Sequence, residues 1–248
     1  MSFLTGRVVV GGGLARLDLP EGFRYLEQAD ARFMVENVWR NPPRPSTLGL
    51  VLPPNGNEWG VIVSYQACGH VDDDAGLDAD VLLAELRDEV LAANPVRKRM
   101  AQPEARMTGW ADPPAYDAVG KKLRWGKVLA VEGLAHETVN YEARMLGAAG
   151  ILSLQAVADL HNLDALRLAV QGVLDGLQFA PGMRYGDFDP SQHRAAGYGL
   201  DALIVSVSAR VPLWRVLLKL AIAVAIVLAA LWLDARRRTS SPPVSSTS

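Results

Sequence analysis

TVNYEARMLGAAGILSLQAVA, residues 138–158, holds two runs of alternating character joined by a turn that glycines bracket. In the first run Val139, Tyr141, Ala143 and Met145 share one side, opposite Thr138, Asn140, Glu142 and Arg144. A period of two is that of a strand with one face in the core. GILSLQAV at 150–157 reads as a second strand, and LGAAG is too short to do anything but reverse the chain, so the two pair antiparallel.

The same period extends upstream. Leu123, Trp125, Lys127, Leu129 and Val131 form one face of a further strand, linked to the first by a connection containing EGLA. Earlier still, Trp59, Val61, Val63 and Tyr65 alternate with Gly60, Ile62, Ser64 and Gln66, and PPNGN joins this run to a strand at 47–53 as a hairpin turn. Three stretches have helical spacing instead. They are Leu26, Ala29, Phe33 and Asn37 with Met34 and Val38, stopped by NPPRP; Leu82, Leu83, Leu86, Val90 and Ala93, up to Asn94-Pro95; and Leu163, Leu166, Val170, Val173 and Leu177, from about Asn162. Strands in groups with a helix in each half predict an α+β fold, an antiparallel β-sheet packed with α-helices.

The body so read covers residues 1–180. FAPGMRYGDFDPSQH at 179–193 is rich in turn residues, and 181–210 is expected as a linker. VPLWRVLLKLAIAVAIVLAALWL at 211–233 carries no polar side chain from Leu220 onward. As a helix it would span about 34 Å, enough for a bilayer core. Trp214 and Trp232 sit near its ends, and Arg215 and Lys219 can reach the nearer interface. One C-terminal transmembrane helix is therefore expected, followed by a basic, disordered tail at 234–248. Residues 1–209 hold 19 Lys/Arg against 26 Asp/Glu. An acidic body argues against a nucleic-acid groove, and the lipid bilayer is the partner expected of 211–233.

VDDDAGLDAD at 71–80 raises the question of a metal loop. A calcium loop needs acids at positions one, three and five, glycine at six and glutamate at twelve. From Asp72, position five is Gly76 and position twelve Leu83; from Asp74, position three is Gly76 and position six Ala79. Both registers fail, so no metal and no cofactor is expected, and Asp78 or Asp80 reads as the cap of the helix that follows. His70, His136, His161 and His193 are scattered, and Cys68-Gly-His70 places a thiol and an imidazole on one strand face without obliging them to touch. Asp72, Asp73 and Asp74, with Asn140, Glu142 and Arg144, remain candidate ligand-binding residues. The second set reads more readily as a solvated sheet face than as a ligand site.

Several phrases together resemble one family: LDLPEGFRYL at 17–26, VWRNPP at 38–43, WGVIVSYQACGHVDDDA at 59–75, GWADPPAYD at 109–117, KLRWGK at 122–127 and the opening stretch at 138–158. In that order they resemble bacterial membrane-anchored proteins with domain of unknown function 2167, from about Gly6 to Phe188. The resemblance implies an extracytoplasmic body held at the bacterial inner membrane, with another envelope protein as a partner. It implies no reaction and no catalytic residue. MSFLTGRVVVGGGLA lacks the unbroken apolar run of a signal peptide, which by itself predicts a cytoplasmic body. Where relatives tend to carry a histidine before the KLRW-like strand, this chain has Gly120-Lys121. The β-rich second half also looks like the Mog1/PsbP type of sandwich, an analogy of fold alone. The functional expectation is a membrane-anchored, non-enzymatic module that binds or assembles a protein or envelope component. The alternative is an enzyme, a metal-dependent or cysteine/histidine hydrolase using the acidic loop 72–80.

Overall fold

The hairpin at 138–158 lies near the centre of the molecule. In the computed structural model, which describes residues 1–39, 41–54, 59–74 and 76–205, Val139, Tyr141, Ala143 and Met145 face Ala158, Ala156, Leu154 and Leu152 across an antiparallel ladder. The turn between them needs its glycines because other segments press against it. A Cβ on Gly150 would lie 2.1 Å from the Gln66 carbonyl oxygen, and one on Gly147 2.8 Å from that of Met183.

In chain order the strands are β1 (Phe3–Leu4), β2 (Arg7–Val10), β3 (Ala15–Asp18), β4 (Arg24–Glu27), β5 (Thr47–Leu52), β6 (Val61–Gln66) and β7 (His70–Asp72). Then come β8 (Ala105–Asp117), β9 (Lys122–Val131), β10 (Thr138–Leu146), β11 (Ile151–Asp159), β12 (Leu177–Phe179) and β13 (Ala195–Gly199). The helices are α1 (Gln28–Arg32), α2 (Ala79–Arg99), α3 (Leu163–Gly176) and α4 (Asp201–Ile204). Eight strands form one antiparallel sheet, ordered β1-β4-β5-β6-β11-β10-β9-β8. The α+β reading with its antiparallel sheet holds.

Each face of that sheet is covered differently. On one face lie α3 and a small sheet, β12-β3-β2. Leu166, Val170 and Val173 of α3 and Val8, Val10 and Leu17 of the small sheet close over Tyr141, Leu152 and Leu154. On the other face α1 seals Ala31 and Val35 against Leu26, Leu50 and Leu52. Farther along, α2 buries Leu82 and Leu86 against Met107, Leu123 and Trp125. Asp78 caps α2, its Oδ1 accepting from the backbone N–H groups of Asp80 and Val81 at 3.1 Å each. Trp110 Nε1 donates to the Ala79 carbonyl at 3.0 Å, pinning the same end to β8.

Several expectations need correction. The helical face predicted through Leu26, Phe33 and Val38 is not the buried one: Leu26 belongs to β4, while Phe33 and Val38 are 52% and 50% exposed. After Arg32 the helix widens into a π turn over Phe33–Val38, which rotates the apolar face onto Ala31 and Val35. Helix α2 does not stop at Asn94-Pro95 but continues to Arg99. Asn94 there bonds both backbone groups of Ala105, at 3.0 Å each, and Arg97 reaches the Val90 carbonyl at 3.3 Å. Strand β8, with Pro113 and Pro114 inside it, has no alternating pattern to reveal it. An edge strand tolerates prolines because one side of it needs no N–H donors.

The linker expected at 181–210 is part of the body as far as Val205: β13 pairs with β7, and Leu200, Ile204 and Val205 are buried. The transmembrane helix expected at 211–233 and the tail at 234–248 lie outside the described residues. Among the described residues no helix is long and apolar enough to cross a membrane.

Burial along α3 makes a direct prediction. Leu166→Ala should cost about 2–5 kcal/mol through the cavity it leaves. Leu168→Ala, two residues on but 74% exposed, should stay within roughly 0.5 kcal/mol of the parent. Urea unfolding of the two variants separates these outcomes.

Candidate functional site

β7 and β13 form a two-stranded parallel sheet, and a cavity of about 750 Å³ opens against it. Gly69, at φ +96°, permits the approach, since a Cβ there would stand 2.5 Å from the Arg194 carbonyl oxygen. The His70 backbone N–H then donates to that same carbonyl, at 2.8 Å. The segment expected as a linker supplies the opposite wall and is ordered by its own aspartates. Asp187 accepts from the backbone of Gly182 and Arg184 at 2.8 and 3.0 Å, and Asp189 holds Ser191 and Gln192. Such side-chain turns replace repetitive structure.

His70, Tyr185, Phe188 and Tyr198 line the cavity with Asp72 and Asp74. The His70 ring stacks on Phe188 at 4.0 Å and tilts against Tyr185 at 4.2 Å. Its Nδ1 is sealed from solvent and makes no hydrogen bond among the described residues. Burial holds this imidazole below its ordinary value, against the opposing pull of the Gly147 backbone and of Asp73 and Asp72. Burial and the neighbouring Cys68 together push the Tyr198 hydroxyl up.

The three consecutive aspartates have different roles. Asp73 turns inward, where Lys121 Nζ lies 2.6 Å from Oδ2 and the Tyr116 hydroxyl donates to the same oxygen. The Tyr185 hydroxyl is 2.8 Å from Oδ1 and 3.0 Å from the Val71 carbonyl, with one proton to share. Burial alone would raise the Asp73 carboxyl, but Lys121, Tyr116 and Tyr185 outweigh it and hold the group at about 2. Burial and the Asp73 charge drive both tyrosines the other way, well above their ordinary range. Lys121 reaches the carboxylate from φ +54°, a left-handed conformation costing roughly 1–2 kcal/mol for a residue with a side chain. It also lies over the Tyr185 ring at 4.6 Å.

Asp72 and Asp74 remain exposed and make no ion pair among the described residues. One oxygen from each of the three aspartates lies within 4.8 Å of the others. The central carboxylate, however, is already committed to three donors.

The other candidate set belongs to a separate network. Glu142 is 6% exposed, with its carboxylate 2.7 Å from Lys127 Nζ and 2.6 Å from Arg144. Burial would raise it, but the charges of Lys127 and Arg144 hold it at about 2. Arg144 lies over the Trp125 ring at 4.9 Å. This is an internal ion cluster, not the solvated face that alternation suggested. Asn140 is half-buried beside it in the ladder, paired with Lys127.

His70 and His193 lie against the same Phe188 ring, at 4.0 and 6.0 Å, while His136 and His161 lie elsewhere. His136 precedes β10 and His70 lies beyond its far end, so nine residues of strand, roughly 30 Å, separate them. The Cys68 thiol faces the Gly69 carbonyl at 3.5 Å. His161 is exposed near Asp159, and His193 accepts from the Asp189 backbone. Tyr116, Lys121, Tyr185, Phe188 and Tyr198 escaped the sequence reading. The one available signal was aromatic residues inside a stretch otherwise typical of a linker.

A family model described as a protein of unknown function (DUF2167) matches residues 2–233, and the chain belongs to that family. No curated protein matches it. Among solved structures it is similar to cyanobacterial PsbP (CyanoP) from Synechocystis sp. PCC 6803, at 8% identity and a TM-score of 0.41, over 70% of this chain and 91% of that one. It is also similar to the Ran-binding protein Mog1p of Saccharomyces cerevisiae, at 12% identity and a TM-score of 0.40, over 76% of this chain and all of that one.

The depressed Asp73 carboxyl makes stability pH-dependent. A group lower in the folded than in the unfolded state stabilises above its unfolded value, and loses that contribution as pH falls through the folded one. Asp73→Asn should therefore cost about 1.5–3 kcal/mol at neutral pH. The gap to the parent should close as pH drops from the ordinary aspartate range toward 2, followed by urea midpoints across that interval.

Proposed function

We propose that this member of the family is a membrane-tethered, non-enzymatic binding module, and that the cavity beside β7 receives a basic group of a partner protein. The observation that carries this reading is the pairing of aromatic walls with two exposed carboxylates that no cation meets among the described residues, Asp72 accepting only from the Asp74 backbone N–H at 3.1 Å. Tyr185, Phe188 and Tyr198 give the cavity aromatic walls, the Tyr185 ring already drawing Lys121 and that of Phe188 met by His70, and Asp72 and Asp74 stand at the same cavity with no ion pair among the described residues. Ring faces attract ammonium and guanidinium groups, and the carboxylates add charge-assisted hydrogen bonds. Two of the carboxylates that could have served chemistry are otherwise engaged: Asp73 by Lys121 and the two tyrosines, Glu142 by Lys127 and Arg144. The tether is the apolar segment 211–233. The location that goes with it is the bacterial inner membrane, with the body outside the cytoplasm and another envelope protein as partner.

Two measurements test the reading. The full chain should bind a hexalysine peptide with salt-sensitive affinity and ignore hexaglutamate. Asp72→Asn with Asp74→Asn should weaken the hexalysine interaction about tenfold, a loss of about 1.4 kcal/mol. Equal binding of both peptides, or an unchanged affinity in the double variant, would remove the basis of the proposal. Separately, the full chain should stay in the membrane pellet after an alkaline wash, and a chain ended after Val205 should be released. Release of both would refute the tether.

A further inference from the structure

A second pocket, of about 250 Å³, opens where the segment after the π turn meets β6 and β11. Trp39, Trp59 and Val157 give it apolar surface, and Asn41, Arg44 and Gln155 give it polar heads. It shares no residue with the cavity beside β7.

The polar heads are positioned but not used up. Arg44 donates to the Gln155 side-chain oxygen, and Asn41 Nδ2 to the Val35 carbonyl at 3.3 Å. These bonds consume one hydrogen of a guanidinium, one carboxamide oxygen and one amide hydrogen. Among the described residues the other N–H groups of Arg44, the Gln155 amide hydrogens and the Asn41 oxygen have no further partner. Neither indole N–H donates a hydrogen bond among the described residues.

Broad aromatic surface beside planar groups with paired donors suits one ligand chemistry. A pyranose ring has an apolar face whose C–H bonds, weakly positive, lie well against the negative face of an indole. Its neighbouring hydroxyls each donate and accept, and a planar guanidinium or carboxamide can bridge two of them. An anion is less well served. Among the described residues Arg44 is the one charged side chain lining the pocket, and the Glu36 carboxylate, shared with Arg32 at 3.2 Å, sits 3.0 Å from the Arg44 backbone N–H. The Asn41 oxygen would also oppose an anion while accepting from a hydroxyl.

We infer that this pocket is a carbohydrate subsite, taking one neutral pyranose unit of a glycan between Trp39 and Trp59. The site stands apart from the basic-group cavity and is tested apart from it. The probes are β-1,4-linked tetrasaccharides of glucose and of N-acetylglucosamine, added to the full chain in a detergent that carries no sugar. Indole N–H resonances report binding, with Trp39 and Trp59 identified by their loss in Trp39→Phe and Trp59→Phe. At least one tetrasaccharide should shift both resonances. Arg44→Ala and Gln155→Ala, at positions outside the core, should each weaken that binding about tenfold, while Asp72→Asn should leave it unchanged. Unmoved indole resonances up to the solubility limit of both probes would overturn the inference. So would full affinity in both polar variants, or shifts produced by inorganic phosphate and by neither sugar.

Discussion

An eight-stranded antiparallel sheet has two faces, and neither can be left to water when both carry apolar side chains. This constraint orders the rest of the molecule. The alternating faces of β10 and β11 put Tyr141, Leu152 and Leu154 on one side, where α3 and the small sheet β12-β3-β2 cover them. The reverse side is covered only in part, by α1 near β4 and β5 and by α2 near β8 and β9. Between those helices the sheet carries Glu142, Lys127 and Arg144. There a buried carboxylate is tolerable because two cations and their hydrogen bonds replace the water it has lost. The Trp39–Trp59 pocket also borders this partly covered face, near α1 and its π turn.

A second dependence runs through Asp73. Its carboxylate gathers donors from the end of β8, the adjoining β8–β9 turn and the segment after β12, all far from Asp73 in the chain. By doing so it fixes Tyr185, and Tyr185 with His70 and Phe188 shapes the cavity wall. The strain of Lys121 at positive φ is offset by the charge-assisted bond it makes there. An aspartate that the sequence grouped with its two neighbours as a candidate ligand-binding residue is thus a structural hub, while those neighbours stay exposed.

The central strands β5, β6, β9, β10 and β11 were legible because each repeats its apolar residues at a period its backbone geometry enforces. The buried stripe of α3 and the Asp78 cap of α2 were legible for the same reason: local rules of spacing and hydrogen bonding act within one turn of chain. What failed were places where tertiary contacts override local preference. The π turn rotates the α1 face, Asn94 carries α2 past Pro95, and the edge position of β8 excuses Pro113 and Pro114. The short strands β2, β3 and β12 are too brief to show a period.

By itself, then, the sequence determined the antiparallel sheet, its central hairpin, helix α3 and the family to which the chain belongs. Those follow from periodicity and from phrases kept in order along the chain. Only the tertiary structure decided that Asp73 is occupied while Asp72 and Asp74 stay exposed without an ion pair among the described residues, and that Glu142 is buried. It also decided that residues 181–205 form a wall of the body. The reason is physical: a carboxylate's role is set by which donors reach it. Here Lys121 is 48 positions from Asp73 and Tyr185 is 112, separations at which no local pattern carries information.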